Sequence, residues 1–210
     1  MVLASVLLIS ACTETPPAAD RADTTPAHRA ASVLFYGDSL TVGTFATSDV
    51  ATFRGIVTTA AIGPTTTIAK KGVRVGGFQR DHPWPPPGKQ FDLVVFELGT
   101  YDVGNTDPTL YERAYELLAQ SVVSLSPSAQ LICLGPWRPA SAAQAIATAT
   151  EKACSVAGGK YIPLSPLFAV ATNHAVAGEK TPTGVTDSFS PNDAGHRAIA
   201  DAILRVVHFA

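Results

Sequence analysis

The stretch "SVLFYGDSLTVG", residues 32 to 43, begins as a continuous apolar run and ends in a glycine followed by small polar residues. Such a run, bounded by Gly, is typical of a strand buried on both faces in a parallel sheet. Ligands of open parallel sheets bind beyond the carboxyl ends of the strands. Gly37 permits a sharp turn there, and Asp38 can accept hydrogen bonds from the amides that follow. Ser39 would then present its hydroxyl at the strand end, although Gly-Asp-Ser is also an ordinary turn or helix cap.

Further apolar runs and helical patterns alternate along the rest of the chain. Runs of strand character lie at 91–99, 129–136 and 160–164, and the Thr-rich segment 56–72 is expected to supply another strand. Helical patterns follow Pro108, cover the Ala-rich stretch that ends at Gly158, and extend from about Pro191 to Val207. This alternation predicts an α/β protein, a three-layer α/β/α sandwich around a mostly parallel, doubly wound, flavodoxin-like sheet of about five strands.

The composition limits the classes of partner. A chain of 210 residues is long enough for one domain with a hydrophobic core, and we expect a monomer. Charged residues make up 15%, the formal net charge is -2 and the pI is about 6.2, which argues against nucleic acid and anionic lipid as partners. The expected partner is a small neutral molecule or a polymer bound by shape, with neither a cofactor nor a metal.

The N-terminus predicts a targeting segment. Residues 1–12, "MVLASVLLISAC", form an apolar run too short to span a bilayer and placed like the apolar part of a signal peptide. The end of this run resembles the lipobox of bacterial lipoproteins, in which the signal is cut before a cysteine that then carries lipid. The resemblance implies a signal-like segment at 1–11, lipidation at Cys12, a disordered tether at 12–30 and a folded domain at 31–210.

This interpretation implies an exported protein of the bacterial cell envelope, either membrane-anchored through lipid at Cys12 or secreted. Because no Lys or Arg precedes the apolar run, an ordinary buried segment is the alternative. An oxidising setting would permit a disulfide between Cys133 and Cys154. Their positions, within a strand pattern and near a helix end, favour buried free cysteines instead.

The segment "FYGDSLTVG" (35–43) resembles the first motif of the SGNH, or GDSL, hydrolase family, and further blocks match in the family's order. That family is an α/β sandwich of serine esterases, lipases, thioesterases and carbohydrate deacetylases. The resemblance implies that Ser39 is the nucleophile and that its backbone amide helps to bind the oxyanion. In "AKKGVRVGG" (69–77), Gly72 would supply the second oxyanion amide, with Gly76 as a weaker candidate. A plain turn glycine is the alternative for Gly72.

The third block, "ELGTYDVGN" (97–105), resembles the family's Gly-x-Asn-Asp except that Tyr101 replaces the Asn whose amide completes the oxyanion hole. A tyrosine hydroxyl is also a donor. Its rigid ring is expected to hold that donor too far from the backbone to reach the same point without rearrangement. Asn105 could compensate only through a different backbone path.

The fourth block, "TDSFSPNDAGHRAIAD" (186–201), resembles the family's Asp-x-x-His, with Asp187 as the acid and Ser190 where the histidine should be. A hydroxyl does not take up a proton near neutral pH, and Ser190 before Pro191 is expected to be a helix N-cap. His196 also follows an Asp-x-x spacing and is a candidate replacement base. Its place in the second helical turn favours packing.

Two other histidines, His82 and His174, sit in loops that could face a cleft, where a solvated surface role is favoured. The sequence therefore predicts an exported SGNH/GDSL-type hydrolase, an esterase or acyltransferase acting on a small acyl ester or an O-acylated envelope glycan. Its activity would be attenuated by the changes at Ser190 and Tyr101. The alternatives are a catalytically inactive binding lipoprotein with the same fold and a purely structural lipoprotein.

Overall fold

The computed structural model describes residues 30–77 and 88–209. Its central sheet has five parallel strands in the order β2-β1-β3-β4-β5. They are β1 (Ala31–Gly37), β2 (Ile62–Ala69), β3 (Leu93–Glu97), β4 (Gln130–Leu134) and β5 (Lys160–Ile162). This strand order is the flavodoxin-like one, and the predicted fold class is confirmed. The signal-like segment, Cys12, His82 and nearly all of the tether lie outside the described residues.

Helices cover both faces of the sheet. They are α1 (Ser39–Val42), α2 (Phe53–Ala61), α3 (Pro108–Leu125), α4 (Ala140–Val156), α5 (Ser165–Phe168) and α6 (Asp193–Leu204). Short 3-10 turns lie at Asp49–Ala51 and Ala171–Asn173, and a small hairpin pairs β6 (Lys180–Thr181) with β7 (Gly184–Val185). Helices α2 and α6 pack together on one face of the sheet, and α3 and α4 pack together on the other.

The side chains of β1 divide the core into two layers. Val33 and Phe35 belong to the cluster under α2 and α6, whereas Leu34 and Tyr36 belong to the cluster under α3 and α4. Successive strand residues point to opposite faces, so a strand with a core on both sides must be apolar at every position. This requirement explains why the run at 32–36 shows no polar alternation.

The segment 56–72 holds a helix as well as the predicted strand, because α2 continues to Ala61 before β2 begins. Thr52 caps this helix by accepting a hydrogen bond from the Gly55 amide at 3.0 Å. Phe53, Ile56 and Val57 are buried at helical spacing, and burial of this apolar face outweighs the preference of β-branched residues for strands.

Cys133 and Cys154 form a disulfide, so the expectation of free cysteines is wrong. Cys133 lies in β4, and α4 packs across that strand so that Cys154 comes within 6.1 Å between Cα atoms. Both residues are fully buried. A crosslink with this sequence separation of 21 contributes on the order of 3 kcal/mol to the free energy of unfolding.

Within the described ranges, no helix combines the length and the apolar composition that crossing a bilayer requires.

Candidate active site

Ser39 lies at the carboxyl end of the central strand β1, as the first residue of α1. The Asp38 side chain caps this short helix by accepting a hydrogen bond from the Leu40 amide at 3.2 Å. Gly37 is required in the turn, since a Cβ there would meet Thr41 Oγ1 at 2.1 Å. The predicted turn therefore presents the Ser39 hydroxyl at the strand end.

Two hydrogen-bonding groups converge on the Ser39 Oγ, and both carry a proton that they can donate. The Gly72 backbone amide donates to it at 3.2 Å, and the Tyr101 hydroxyl lies 2.7 Å away. The Tyr101 hydroxyl thus reaches the nucleophile itself. Whether it also reaches the point served by the family Asn stays a prediction. An oxyanion that forms on an acyl group attached to Ser39 would lie close to both donors.

The Tyr101 phenol stays protonated. Burial raises its pKa above the usual value, and the nearby carboxyl groups of Asp38, Glu97 and Asp187 raise it further, while the hydrogen bond to Ser39 acts in the opposite direction. A phenol in this state can donate a hydrogen bond but cannot take the proton of Ser39 near neutral pH. Tyr101 is therefore suited to stabilise an oxyanion and not to act as a general base.

The buried Asp102 ties together the two loops that carry these donors. One carboxylate oxygen accepts a hydrogen bond from the Val75 amide at 3.2 Å, and the other accepts one from Thr106 Oγ1 at 2.7 Å. Asn105 does not take over from the missing family Asn. Its side-chain amide donates to the Tyr101 and Val103 carbonyls of its own turn.

Asp187 is in direct contact with the residue at the family histidine position. Its Oδ1 accepts hydrogen bonds from the Phe189 and Ser190 amides, and its Oδ2 accepts one from Ser190 Oγ at 3.1 Å. Ser190 is not the helix N-cap, contrary to prediction. Asn192 caps α6 by accepting a hydrogen bond from the Gly195 amide at 3.0 Å, because the chain is still extended at Pro191, which pairs with His174, and the helix begins only at Asp193.

His196 does not reach Ser39, so its candidacy as the replacement base is corrected to a packing role. Its ring is fully buried and stacks on Phe53 at 6.1 Å between centroids. The Phe53 amide donates to Nδ1 at 3.4 Å, and Nε2 donates to the Thr44 carbonyl at 3.3 Å. Burial lowers the pKa of His196 to about 4, so the ring is neutral at physiological pH.

No other imidazole in 30–77 or 88–209 hydrogen-bonds to Ser39. The ring of His174 lies between the carbonyls of Phe168 and Phe189, at 2.6 and 3.0 Å, and is partly buried instead of solvated. The ring of His208 has no hydrogen bond to the site, and the backbone amide of that residue bonds to Gln130. Ser39 thus has oxyanion donors but no histidine base among the described residues.

Sequence analysis missed Glu97, which lies directly beneath the Ser39 turn. It is fully buried at the end of β3, and its Oε2 accepts hydrogen bonds from the Asp38 amide, the Thr41 amide and Thr41 Oγ1. The available signal was a lone charge at the end of an otherwise apolar strand.

Asp38 and Glu97 form a buried pair of carboxyl groups. Burial raises the pKa of Asp38 to about 7, and burial together with the Asp38 charge raises that of Glu97 well above its usual value. Asp38 Oδ2 and Glu97 Oε1 are both buried and have no hydrogen-bond partner among the N–H and O–H groups of the described residues. The pair therefore retains a proton near neutral pH, which lets one carboxyl donate to the other.

We expect the substitution Glu97→Gln to reduce the loss of stability on raising the pH from about 4 to about 7. Because burial raises both pKa values, the folded state binds more protons than the unfolded state in this window, and the free energy of unfolding falls as pH rises. A glutamine keeps an acceptor for Thr41 and cannot ionise. Urea titrations at several pH values should show a loss smaller by on the order of 1–3 kcal/mol.

The exposed Glu151→Gln on α4 is the matched control for this measurement, because it removes the same charge from a solvated position. A pH dependence unchanged in Glu97→Gln would show that the buried pair ionises freely and would contradict the prediction.

The described residues contain no group of three or more His, Cys, Asp or Glu side chains arranged to hold a metal ion.

Residues 35–198 match the model of the GDSL-like Lipase/Acylhydrolase family. The chain belongs to this family. No curated protein sequence matches the chain significantly. The matched range contains Ser39, Gly72, Tyr101, Asp187 and Ser190, the residues to which the resemblance assigns site positions.

Solved structures with the same fold include enzymes of different specificity. Phospholipase A1 from Streptomyces albidoflavus aligns with a TM-score of 0.64 at 16% identity, over 85% of this chain and all of that one. The extracellular lipase from Streptomyces rimosus gives 0.60 at 17% identity, over 85% of this chain and all of that one. A family two carbohydrate esterase from Clostridium thermocellum, solved with cellohexaose, gives 0.63 at 18%, over 83% of this chain and 62% of that one. At these identities the likeness concerns the fold.

Proposed function

We propose that this GDSL-like chain is a slow serine ester hydrolase or acyltransferase with Ser39 as its nucleophile. The observation that carries the proposal is the convergence of the Gly72 amide and the Tyr101 hydroxyl on the Ser39 Oγ. Donors fixed around the oxygen of a serine at a strand end are what acyl transfer requires, because charge develops on the carbonyl oxygen during attack. The substrate is a small acyl ester or an O-acylated glycan.

The reaction proceeds through an acyl-serine. The Ser39 Oγ attacks the acyl carbon and loses its proton to solvent, while the Gly72 amide and the Tyr101 hydroxyl stabilise the oxyanion. The bond to the leaving alcohol then breaks, and that alcohol takes a proton from solvent. Water, or the hydroxyl of an acceptor, finally releases the acyl group and restores Ser39. Without a positioned base the rate is expected to be lower by on the order of a millionfold than in a complete triad, while the oxyanion donors alone leave about a thousandfold over water.

Export is part of the proposal. The Cys133–Cys154 disulfide supports an oxidising compartment, because such bonds are rare in the cytosol. The lipobox-like sequence ending at Cys12 supports attachment to a membrane through lipid.

A second candidate function is the binding of an envelope glycan without turnover. It is favoured by the contact between Ser190 and Asp187, which satisfies the acid of the missing triad and leaves no unpaired group that calls for a histidine. In this case the cleft at Ser39 would bind a ligand and leave its ester bonds intact.

Hydrolysis of p-nitrophenyl acetate by the purified protein tests which of the two holds. We expect slow turnover by the wild type that falls to the buffer rate in Ser39→Ala, together with an acetyl group on the Ser39 peptide in mass spectrometry. Ser128→Ala, an exposed serine before β4, is the matched control and should retain the wild-type rate. A wild-type rate equal to that of Ser39→Ala would refute hydrolysis and favour the binding function.

A further inference from the structure

An open cavity of about 520 Å³ adjoins the Gly72 side of the candidate site. Its wall carries three cationic residues from the loop after β2, namely Lys70, Lys71 and Arg74. One acidic residue, Asp107, also lines it. The low overall charge of the chain predicted a neutral partner, but this cluster gives the cavity a local positive charge.

Neither Lys71 nor Arg74 forms an ion pair within 4 Å in the part of the chain that the structure describes, although the Arg74 charge acts on the buried Asp102 carboxyl and opposes the rise of its pKa. Lys71 Nζ donates to the Thr183 carbonyl at 3.0 Å, and Arg74 Nη1 donates to the Asn105 carbonyl at 3.1 Å. The Asp107 carboxylate is engaged elsewhere, as the cap of α3, where it accepts hydrogen bonds from two amides. Both cations are exposed and are positioned by neutral acceptors, so each has further N–H groups to offer an anion.

Gly72 connects this cavity to the reacting serine. Its amide lies 3.2 Å from the Ser39 Oγ, and in the chain it stands between Lys71 and Arg74. No atom lies within 4 Å of the position that a Cβ on Gly72 would occupy, so its outer side is open. A ligand held in the cavity could therefore place an ester at Ser39 and extend along the cations.

The lining favours a hydrophilic ligand. Apart from glycines, its apolar members are Val73, which is itself buried, and Leu110 at the rim of the cavity. A long acyl chain gains affinity by removing apolar area from water. About half of the exposed wall is apolar, so the preference for a hydrophilic ligand rests on the charged and amide groups along it. Carbohydrate hydroxyls and anionic groups, in contrast, match the ammonium, guanidinium and amide donors that are present.

We infer that this cavity binds the anionic portion of a carbohydrate ester, with a carboxylate or phosphate group held by Lys71 and Arg74 while the ester lies at Ser39. The inference rests on the proposed function for the ester, whereas the binding of the anion can be measured without turnover.

Titration calorimetry of the full-length Ser39→Ala protein tests the binding. The probes are trigalacturonate, which carries carboxylates, glucose 6-phosphate, which carries a phosphate, and neutral maltotriose. We expect at least one anionic sugar to bind about tenfold more tightly than maltotriose, and its affinity to fall as salt is raised. The double substitution Lys71→Gln/Arg74→Gln should weaken binding of that sugar by about tenfold.

The matched control is Lys160→Gln/Arg205→Gln, which removes two exposed charges outside the cavity and should leave the affinity unchanged. Equal affinity for anionic and neutral sugars would overturn the inference. So would a control variant that weakens binding of the anionic sugar as much as Lys71→Gln/Arg74→Gln does. Binding to phosphatidylglycerol vesicles but to neither anionic sugar would overturn the assignment to carbohydrate. Anion binding without any ester hydrolysis would refute the proposed function and the placement of the ester at Ser39, and would leave only the anion-binding part of the inference standing.

Discussion

Replacing Ser190 with histidine is expected to raise the rate of ester hydrolysis by about 10²–10⁴-fold, the usual contribution of a positioned general base. Asp187 already holds residue 190 through its backbone amide and its side chain. An imidazole at this position would find the carboxylate that orients it and stabilises its charged form. Asp187 also lies close enough to Tyr101 to raise the pKa of that phenol, which links this pair to the Ser39 site.

The measurement is kcat/KM for p-nitrophenyl acetate as a function of pH. Ser190→His should add an ionisation near the histidine pKa of about 6.5, with activity rising above it. Ser190→His/Ser39→Ala should be inactive, and Ser190→His/Asp187→Asn should lose most of the gain. A folded Ser190→His protein with no gain would show that residue 190 cannot reach Ser39.

His82→Ala and His196→Ala in the otherwise wild-type chain test for a base supplied from elsewhere. We expect each variant to hydrolyse the ester at the wild-type rate once the rate is divided by the amount of folded protein. A folded His82→Ala protein with a reduced rate would show that a base is already present, and the attenuated mechanism would then be wrong.

The sheet and its serine turn were predictable because each depends on a local pattern. A continuous apolar run such as 32–36, bounded by glycine, is typical of a strand covered on both sides, and Gly37 has no room for a side chain. The helix over Phe53–Ala61 was missed because its β-branched residues resemble a strand until the buried face is known. At this segment, burial of the apolar face of α2 outweighs the preference of β-branched residues for strands.

The details of the site depended on contacts between residues distant in sequence. The disulfide requires knowing that α4 crosses β4, and the buried carboxyl pair requires knowing that Glu97 lies under Asp38. Ser190 was expected to cap a helix, but the chain stays extended through Pro191, which pairs with His174, and α6 begins only at Asp193. In each case the sequence supplied the residue type, and the three-dimensional neighbour decided its role.

Tyr101 gives the second large expected effect, because it is the less usual of the two oxyanion donors. Tyr101→Phe should lower kcat by about 10²–10³-fold with little change in KM, since the lost hydrogen bond forms mainly in the transition state. The phenylalanine keeps the ring and its packing and removes only the hydroxyl that lies 2.7 Å from Ser39. Steady-state kinetics in the Ser190→His background, where the rate is higher, provide the most sensitive measurement.

Tyr161→Phe is the matched control, because Tyr161 is a partly buried tyrosine of β5 and should leave kcat unchanged. Tyr101→Asn tests whether the residue usual in the family can replace the tyrosine as an oxyanion donor. Its activity should exceed that of Tyr101→Phe only if the shorter Asn side chain brings its amide to the oxyanion. An unchanged kcat in Tyr101→Phe would mean that the hydroxyl merely occupies the serine in the resting site. In that case the Gly72 amide and the Ser39 amide would have to stabilise the oxyanion alone.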